Sequence, residues 1–423
     1  MPRHGKVLGL RRQFLLLGTL RIRLRNADLL ETLGHTTSVI LGLALLSAPL
    51  TSEFMSFVAD EMRRWYGCAL DLWLARTETP SRVVLERSNL KLRDYGDVEN
   101  RPSLLIIPAP IKKPYIWDLA PEVSVVLACL QTRLRVYVME WTETPLDGQE
   151  NGLAAYVDER ILECAKVIGE PAVMAGHSLG GTFATIFASL HPERVRALIL
   201  LEAPLSFSGD AGVIAELIRM APATEDLRKV SAYPGTVLNA LSLAASPESF
   251  LWWRWRDRLL SAVDLAFLRT HLLVERWTLD EYAMPSALFA DLVDLYRLDR
   301  FMRGTLSIEG RTAAPRNVTM PVLAVVDPQS DVVPPSSVMS FLDALPDRNW
   351  TLLHYEGDVG VALRHVGVLV GRNAHRILWP EILAWIRMSE LWVNHPEASS
   401  GSMSSDQISE KKRWRHGEKL QIR

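Results

Sequence analysis

The stretch Pro171-Ala-Val-Met-Ala-Gly-His-Ser-Leu-Gly-Gly-Thr182 constrains this chain more than any other, because it reads as strand, tight turn and helix within twelve residues. Ala172 to Ala175 is a short apolar run, Thr182 to Leu190 an amphipathic helix, and the turn between them is Gly176-x-Ser178-x-Gly180. A serine on a strained strand-to-helix turn is lifted away from the backbone's own hydrogen bonding, which a serine needs to act as a nucleophile. The flanking positions Gly176 and Gly180 have to be small, since backbone meets backbone there. A helix starting near Leu179 also aims free amide groups at the serine, where they can receive developing negative charge.

The chain around this turn alternates strand and helix. Ser103-Leu-Leu-Ile-Ile107 is a continuous apolar run that suits a central strand buried on both faces. Arg135 to Glu140 predicts a strand, Gly152 to Ile168 a helix, and Val195 to Leu201 another buried strand. Arg82 to Arg87 and Leu90 to Tyr95 alternate in period two, like a hairpin of edge strands. This rhythm implies a mostly parallel, doubly wound α/β sheet. Between Leu205 and Asn317 it stops, giving way to a helical insert that holds Trp252, Trp253, Trp255 and Trp277. It resumes with Pro321 to Asp327 and Asn349 to His354. An insert at that point is expected to cover the carboxyl ends of the strands as a cap. Its tryptophans fit either a packed helical subdomain or an aromatic wall for an acyl chain.

Five segments follow: a helical N-terminal region over 1–80 with a basic start, core over 81–204, a cap over 205–317, core again over 318–396, and a tail over 397–423. The net charge of −2 points to no nucleic-acid partner. Arg11 to Arg25 interleaves arginine with apolar residues and could lie on an anionic surface, but it lacks the pattern of a secretion signal. Val39 to Leu50 is too short to span a bilayer and contains Pro49. Cys68, Cys129 and Cys164 have no metal-ligand spacing and read as small buried hydrophobes in a reducing, cytoplasmic setting. The tail is Ser-rich, then basic around Lys411 to Arg415, and reads as solvated and disordered.

A serine nucleophile on such a turn finds its partners downstream, the acid first and the histidine last. Asp331 lies in Asp327-Pro-Gln-Ser-Asp-Val-Val-Pro-Pro335, beyond a buried strand, and His365 lies in Leu363-Arg-His-Val-Gly367, before a final helix. The imidazole would take the Ser178 proton, and the carboxylate would fix its tautomer. His354 falls inside a strand and His375 beside a helix start, so His365 is the better base. Asp327 closes its strand directly, whereas Asp331 has loop enough to face His365. One oxyanion donor is expected at the Leu179 amide and the other in Pro108-Ala-Pro-Ile-Lys112; Pro110 has no N–H, which leaves Ile111. No residue pattern calls for a metal or a bound cofactor.

Ser103 to Leu119, Val138-Met-Glu-Trp141, Gly304 to Gly310, Val332-Val-Pro334 and His365-Val-Gly367 together resemble polyhydroxyalkanoate synthases, in order, from about Val83 to Trp385. The resemblance implies an α/β-hydrolase core with a cap, handling 3-hydroxyacyl thioesters or their polyesters, with acyl-CoA as a substrate. Three positions depart from it. Ser178 stands where the family has cysteine, Ser330 stands at the family's acid position with Asp331 next to it, and Arg364 precedes the histidine in place of glycine.

A serine ester is a deeper resting point than a thioester, so Ser178 favours release to water. The expectation is a serine-dependent acyl hydrolase or acyltransferase acting on an ester or thioester. The alternatives are a polyester synthase working with serine, and an inactive fold kept as a binding protein at a granule or membrane. Peripheral contact with such a surface and self-association are compatible with each of these.

Overall fold

The computed structural model describes residues 60–142 apart from 66, 69, 72, 73, 75, 88 and 97–100, then residues 152–394 and 418–422. The basic segment Arg11 to Arg25 and the run Val39 to Leu50 lie outside the described residues.

Nine strands form one sheet. In chain order they are β1 (Arg82–Arg87), β2 (Leu90–Asp94), β3 (Ser103–Ile107), β4 (Arg135–Trp141), β5 (Ala172–His177), β6 (Val195–Leu201), β7 (Val322–Val326), β8 (Trp350–Tyr355) and β9 (Glu418–Ile422). The spatial order is β1-β2-β4-β3-β5-β6-β7-β8-β9. β1 and β2 form the antiparallel edge hairpin, β2 pairs antiparallel with β4, and every other pairing is parallel. β3 and β5 are buried at every residue, as continuous apolar runs covered on both faces must be. The tail differs from expectation at its end. Residues Glu418–Ile422 add β9 beside β8, because an uncovered parallel edge leaves a row of backbone groups that a following segment can pair.

Helices cover both faces. On one, α1 (Leu179–Leu190), entering directly from Ser178, buries Phe183 and Phe187 completely. Each contributes roughly 1.5–3 kcal/mol of apolar transfer. On the other, α2 (Trp379–Asn394) packs Trp379, Trp385 and Ile386 against the sheet. Cys129 and Cys164 are buried as expected, whereas Cys68 is exposed.

The insert contains α3 (Val213–Arg219), α4 (Gly235–Ala245), α5 (Trp253–Ser261), α6 (Leu265–Thr278) and α7 (Ser286–Leu298). Its tryptophans separate. Trp277 is buried, while Trp252 and Trp255 are 62% and 57% exposed. The helical stretch beginning at Asp60 ties into the insert, since the Asp60 carboxylate accepts from the Gly235 and Thr236 amides at 2.9 and 2.6 Å, at the start of α4. No helix among the described residues is long and apolar enough to cross a membrane.

Candidate active site

Parallel strands place their carboxyl ends on one side, and the chemistry-bearing residues collect there. Ser178 follows β5, Glu202 follows β6, Asp327 follows β7, and His365 lies in the loop after β8. The Ser178 amide donates to the Leu201 carbonyl at 3.0 Å, and the Glu202 amide to the Val325 carbonyl at 2.9 Å, so both residues are held by the neighbouring strand.

Ser178 has φ 53° and ψ −130°. A non-glycine residue in that region costs about 1–3 kcal/mol and persists only where the surroundings enforce it. They do so here. A Cβ on Gly180 would stand 2.1 Å from the Ile107 carbonyl oxygen, and one on Gly176 would stand 2.5 Å from the Gly180 carbonyl oxygen. Ser178 occupies the cap position of α1 yet makes no side-chain capping bond, which leaves its hydroxyl uncommitted to the helix.

Ser178, Leu179, Ile111 and His365 line one cavity of about 240 Å³. Its remaining wall is mostly apolar and is shared between core loops and the insert, which brings Ile214, Phe250, Trp277, Phe289 and Tyr296. Side chains between Ile214 and Tyr296 therefore share a cavity with the nucleophile turn. The loop that bears Ile111 is fixed from both sides: the Trp141 indole donates to the Pro108 carbonyl at 2.7 Å, and the Tyr282 amide donates to the Ile111 carbonyl at 3.0 Å. Lys112 pairs with Glu281 of the insert, and Trp277 donates to the Lys113 carbonyl at 2.8 Å.

His365 differs from expectation in its partner. Its Nδ1 lies 2.9 Å from Glu202 Oε2, and its Nε2 is buried without a hydrogen-bond partner among the described residues. The acid expected at Asp331 stands elsewhere. Its two oxygens accept from the Ser246 and Ser249 hydroxyls at 2.5 and 2.6 Å, so it ties the core loop to the insert. Asp327 is taken by Arg364. His375, set aside beside its helix start, is committed elsewhere: its Nε2–H donates to the Leu369 carbonyl at 2.7 Å.

Burial pushes the His365 imidazole down to about 4, opposed by the Asp327 and Asp331 charges, so it rests neutral and able to accept a proton. Burial raises the Glu202 carboxyl well above the usual range; Asp327 adds to that shift and Arg364 opposes it. His177, between the glycine and the serine of the turn, was missed by the sequence reading. Its Nε2–H donates to the His365 carbonyl at 2.7 Å and its ring lies 4.5 Å from the His365 ring, so it fixes the backbone of the base. Burial holds His177 neutral as well.

The His365 loop is anchored by Asp257 of α5. This fully buried carboxylate accepts from the Gly360 amide at 2.8 Å, the Ala362 amide at 2.7 Å and His271 Nδ1–H at 2.8 Å. Among the described residues, no group of three or more His, Cys, Asp or Glu side chains could hold a metal ion.

Residues 140–259 match the family model described as alpha/beta hydrolase fold. The poly(3-hydroxyalkanoate) polymerase subunit PhaC of Haloferax mediterranei is 26% identical over 73% of this chain and 64% of its own length. The subunit of the same name from Allochromatium vinosum is 23% identical over 73% of this chain and 88% of its own. Among solved structures, a putative lipase from Acinetobacter baumannii aligns with a TM-score of 0.45 at 14% identity, covering 79% of this chain and 97% of its own. The sheet order, the strand-end serine, the family model and the two polymerase subunits together make the chain an α/β-hydrolase-fold enzyme, similar to poly(3-hydroxyalkanoate) polymerases over 73% of its length.

Proposed function

We propose that the protein transfers hydroxyacyl groups through Ser178, from a 3-hydroxyacyl thioester such as an acyl-CoA to a hydroxyl acceptor, building a polyester. The observation that carries this reading is the apolar cavity joining Ser178, His365, Leu179 and Ile111 beneath the insert, in a chain similar to enzymes named polymerases. His365 Nε2 takes the Ser178 proton as the hydroxyl oxygen attacks the thioester carbonyl. The Leu179 and Ile111 amides hold the oxyanion. The C–S bond breaks, His365 returns the proton to the thiolate, and the acyl group stays on Ser178 as an ester. His365 then deprotonates the hydroxyl of a second hydroxyacyl thioester, which attacks the Ser178 ester; the bond from Ser178 Oγ to the acyl carbon breaks, His365 returns the proton to Oγ, and a longer thioester leaves with Ser178 free for the next cycle. No cofactor enters, and acyl-CoA is consumed as substrate. This reading places the protein with the acyl-CoA pool in the cytoplasm.

A second reading takes water as the acceptor, and Ser178 itself favours it. An alkyl ester on serine does not return its acyl group to a thiol as readily as a cysteine thioester does. The two readings separate on products from 3-hydroxybutyryl-CoA. Chloroform-soluble, high-mass polyester with stoichiometric CoA release supports synthesis; free 3-hydroxybutyrate with the same CoA release supports hydrolysis. Ser178→Ala should abolish both, and CoA release that survives it would overturn both.

A further inference from the structure

Arg364 immediately precedes His365 in the chain, and its guanidinium is spent on Asp327. Nη2 donates to Asp327 Oδ1 at 2.8 Å and Nε to Oδ2, a two-pronged contact that matches a carboxylate. Nη2 also donates to the Glu356 carbonyl at 3.0 Å, and Nη1 to Gln329 Oε1 at 3.0 Å. Asp327 is 1% exposed and Glu202 is 2% exposed. β6 and β7 are neighbours, so the two carboxylates lie side by side at the strand ends, facing one cation and one imidazole. A second cavity, of about 370 Å³, reaches all four groups and brings Glu248, Asp331 and Arg256 to the same space.

His365 has a single Nδ1–H to give, and two buried carboxylates stand within its neighbourhood. We infer that Arg364 decides which of them orients the base: by clamping Asp327 it leaves Glu202 as the acid of the Ser178–His365 pair. Glu202 and Arg364 are positioning residues acting through His365, and the inference rests on the acyl-transfer reading of Ser178. It joins two features that the sequence shows separately, an arginine before the histidine and a serine at position 330. The acid comes from β6 because the carboxylate at the end of β7 is occupied.

The sign of the pH effect follows. The base is available when Glu202 is ionised and His365 neutral, so activity is lost as pH falls through the apparent pKa of the pair, whichever member takes the proton. Removing Arg364 withdraws a cation that favours the ionised pair and moves that limb to higher pH. Removing the Asp327 charge withdraws an anion and moves it to lower pH.

The test uses the full chain with histidine ¹⁵N labelling, together with the pH profile of p-nitrophenyl butyrate acylation. The downfield Nδ1–H resonance of His365, assigned by its loss in His365→Gln, is expected to disappear in Glu202→Gln and persist in Asp327→Asn. The acid limb of kcat/KM is expected to rise by about one pH unit in Arg364→Gln, equivalent to a tenfold loss on that limb, to fall in Asp327→Asn, and to stay near wild type in Arg364→Lys. A purely structural role would lower turnover in these variants without moving the limbs in opposite directions. A resonance that survives Glu202→Gln and vanishes in Asp327→Asn would overturn the inference, as would an unmoved limb in folded Arg364→Gln. If Arg364→Gln fails to fold, Asp327→Asn alone decides by the direction of its limb. Wild type that fails to label at Ser178 with a fluorophosphonate would refute the acyl-transfer reading instead, and the resonance would still show which carboxylate His365 uses.

Discussion

Asp257→Ala should uncouple the insert from the base. The carboxylate is fully buried and accepts three hydrogen bonds, from the Gly360 and Ala362 amides and from His271 Nδ1–H. Truncation leaves three buried donors unpaired at about 1–3 kcal/mol each, so the sum lies between roughly 3 and 9 kcal/mol. The loop can shift to let water reach its two amides, which places the expected loss near the lower end, about 3–5 kcal/mol. That is a large share of the roughly 5–15 kcal/mol available to a typical domain. The same loop carries Ala362 at φ 55° and leads directly to His365, so releasing its anchor should also misplace the base. Urea unfolding gives the first quantity, and steady-state hydrolysis of p-nitrophenyl butyrate at low urea gives the second. Turnover is expected to fall at least tenfold in protein that is still folded. Asp264→Ala is the control: this side chain caps α6 from the surface, so it should cost about 1 kcal/mol and leave turnover unchanged. A loss below about 1 kcal/mol with normal turnover in Asp257→Ala would refute the reasoning.

Gly180→Ala should fail to form the nucleophile turn, since its Cβ would meet the Ile107 carbonyl oxygen at 2.1 Å, and soluble yield with fluorophosphonate labelling should collapse together. Gly310→Ala, at φ 75° with nothing within 4 Å, should cost only about 1 kcal/mol in thermal unfolding. Asp331→Asn should lower turnover less than tenfold, because the amide oxygen still accepts from Ser246 or Ser249, whereas Glu202→Gln should lower it by about 10²–10⁴; the comparison of kcat between the two checks the acid assignment.

Much of the site was legible because its signals are local. The turn at Ser178 announces itself through Gly176, Gly180 and the apolar runs on either side, and His365 lies in a loop before the last helix. The position of Val195 to Leu201 as a buried strand and of the insert before the last core strands followed from rhythm alone. Glu202 was missed because the acid was sought in a loop after the later strand, while it sits at the end of β6 with no loop of its own. A signal existed: a lone carboxylate closing the apolar run Ala197 to Leu201, directly before Ala203-Pro204, is costly to bury without a partner. Arg364 stood out as a departure, but its partner Asp327 lies 37 residues away, and only pairing across the sheet ends brings them together. β9 was missed for a similar reason. Glu418 to Ile422 has weak strand propensity inside a basic tail, and it takes its conformation from the open edge of β8.

The central claim is a covalent acyl group on Ser178, and intact-protein mass spectrometry of acid-quenched samples tests it most directly. Within the first turnovers with 3-hydroxybutyryl-CoA, the protein should gain the mass of one hydroxybutyryl group or of a short oligomer, mapped by digestion to the peptide containing Ser178 and absent from Ser178→Ala. An unmodified protein that nonetheless releases CoA, or an acyl group mapped to any other residue, would contradict the account.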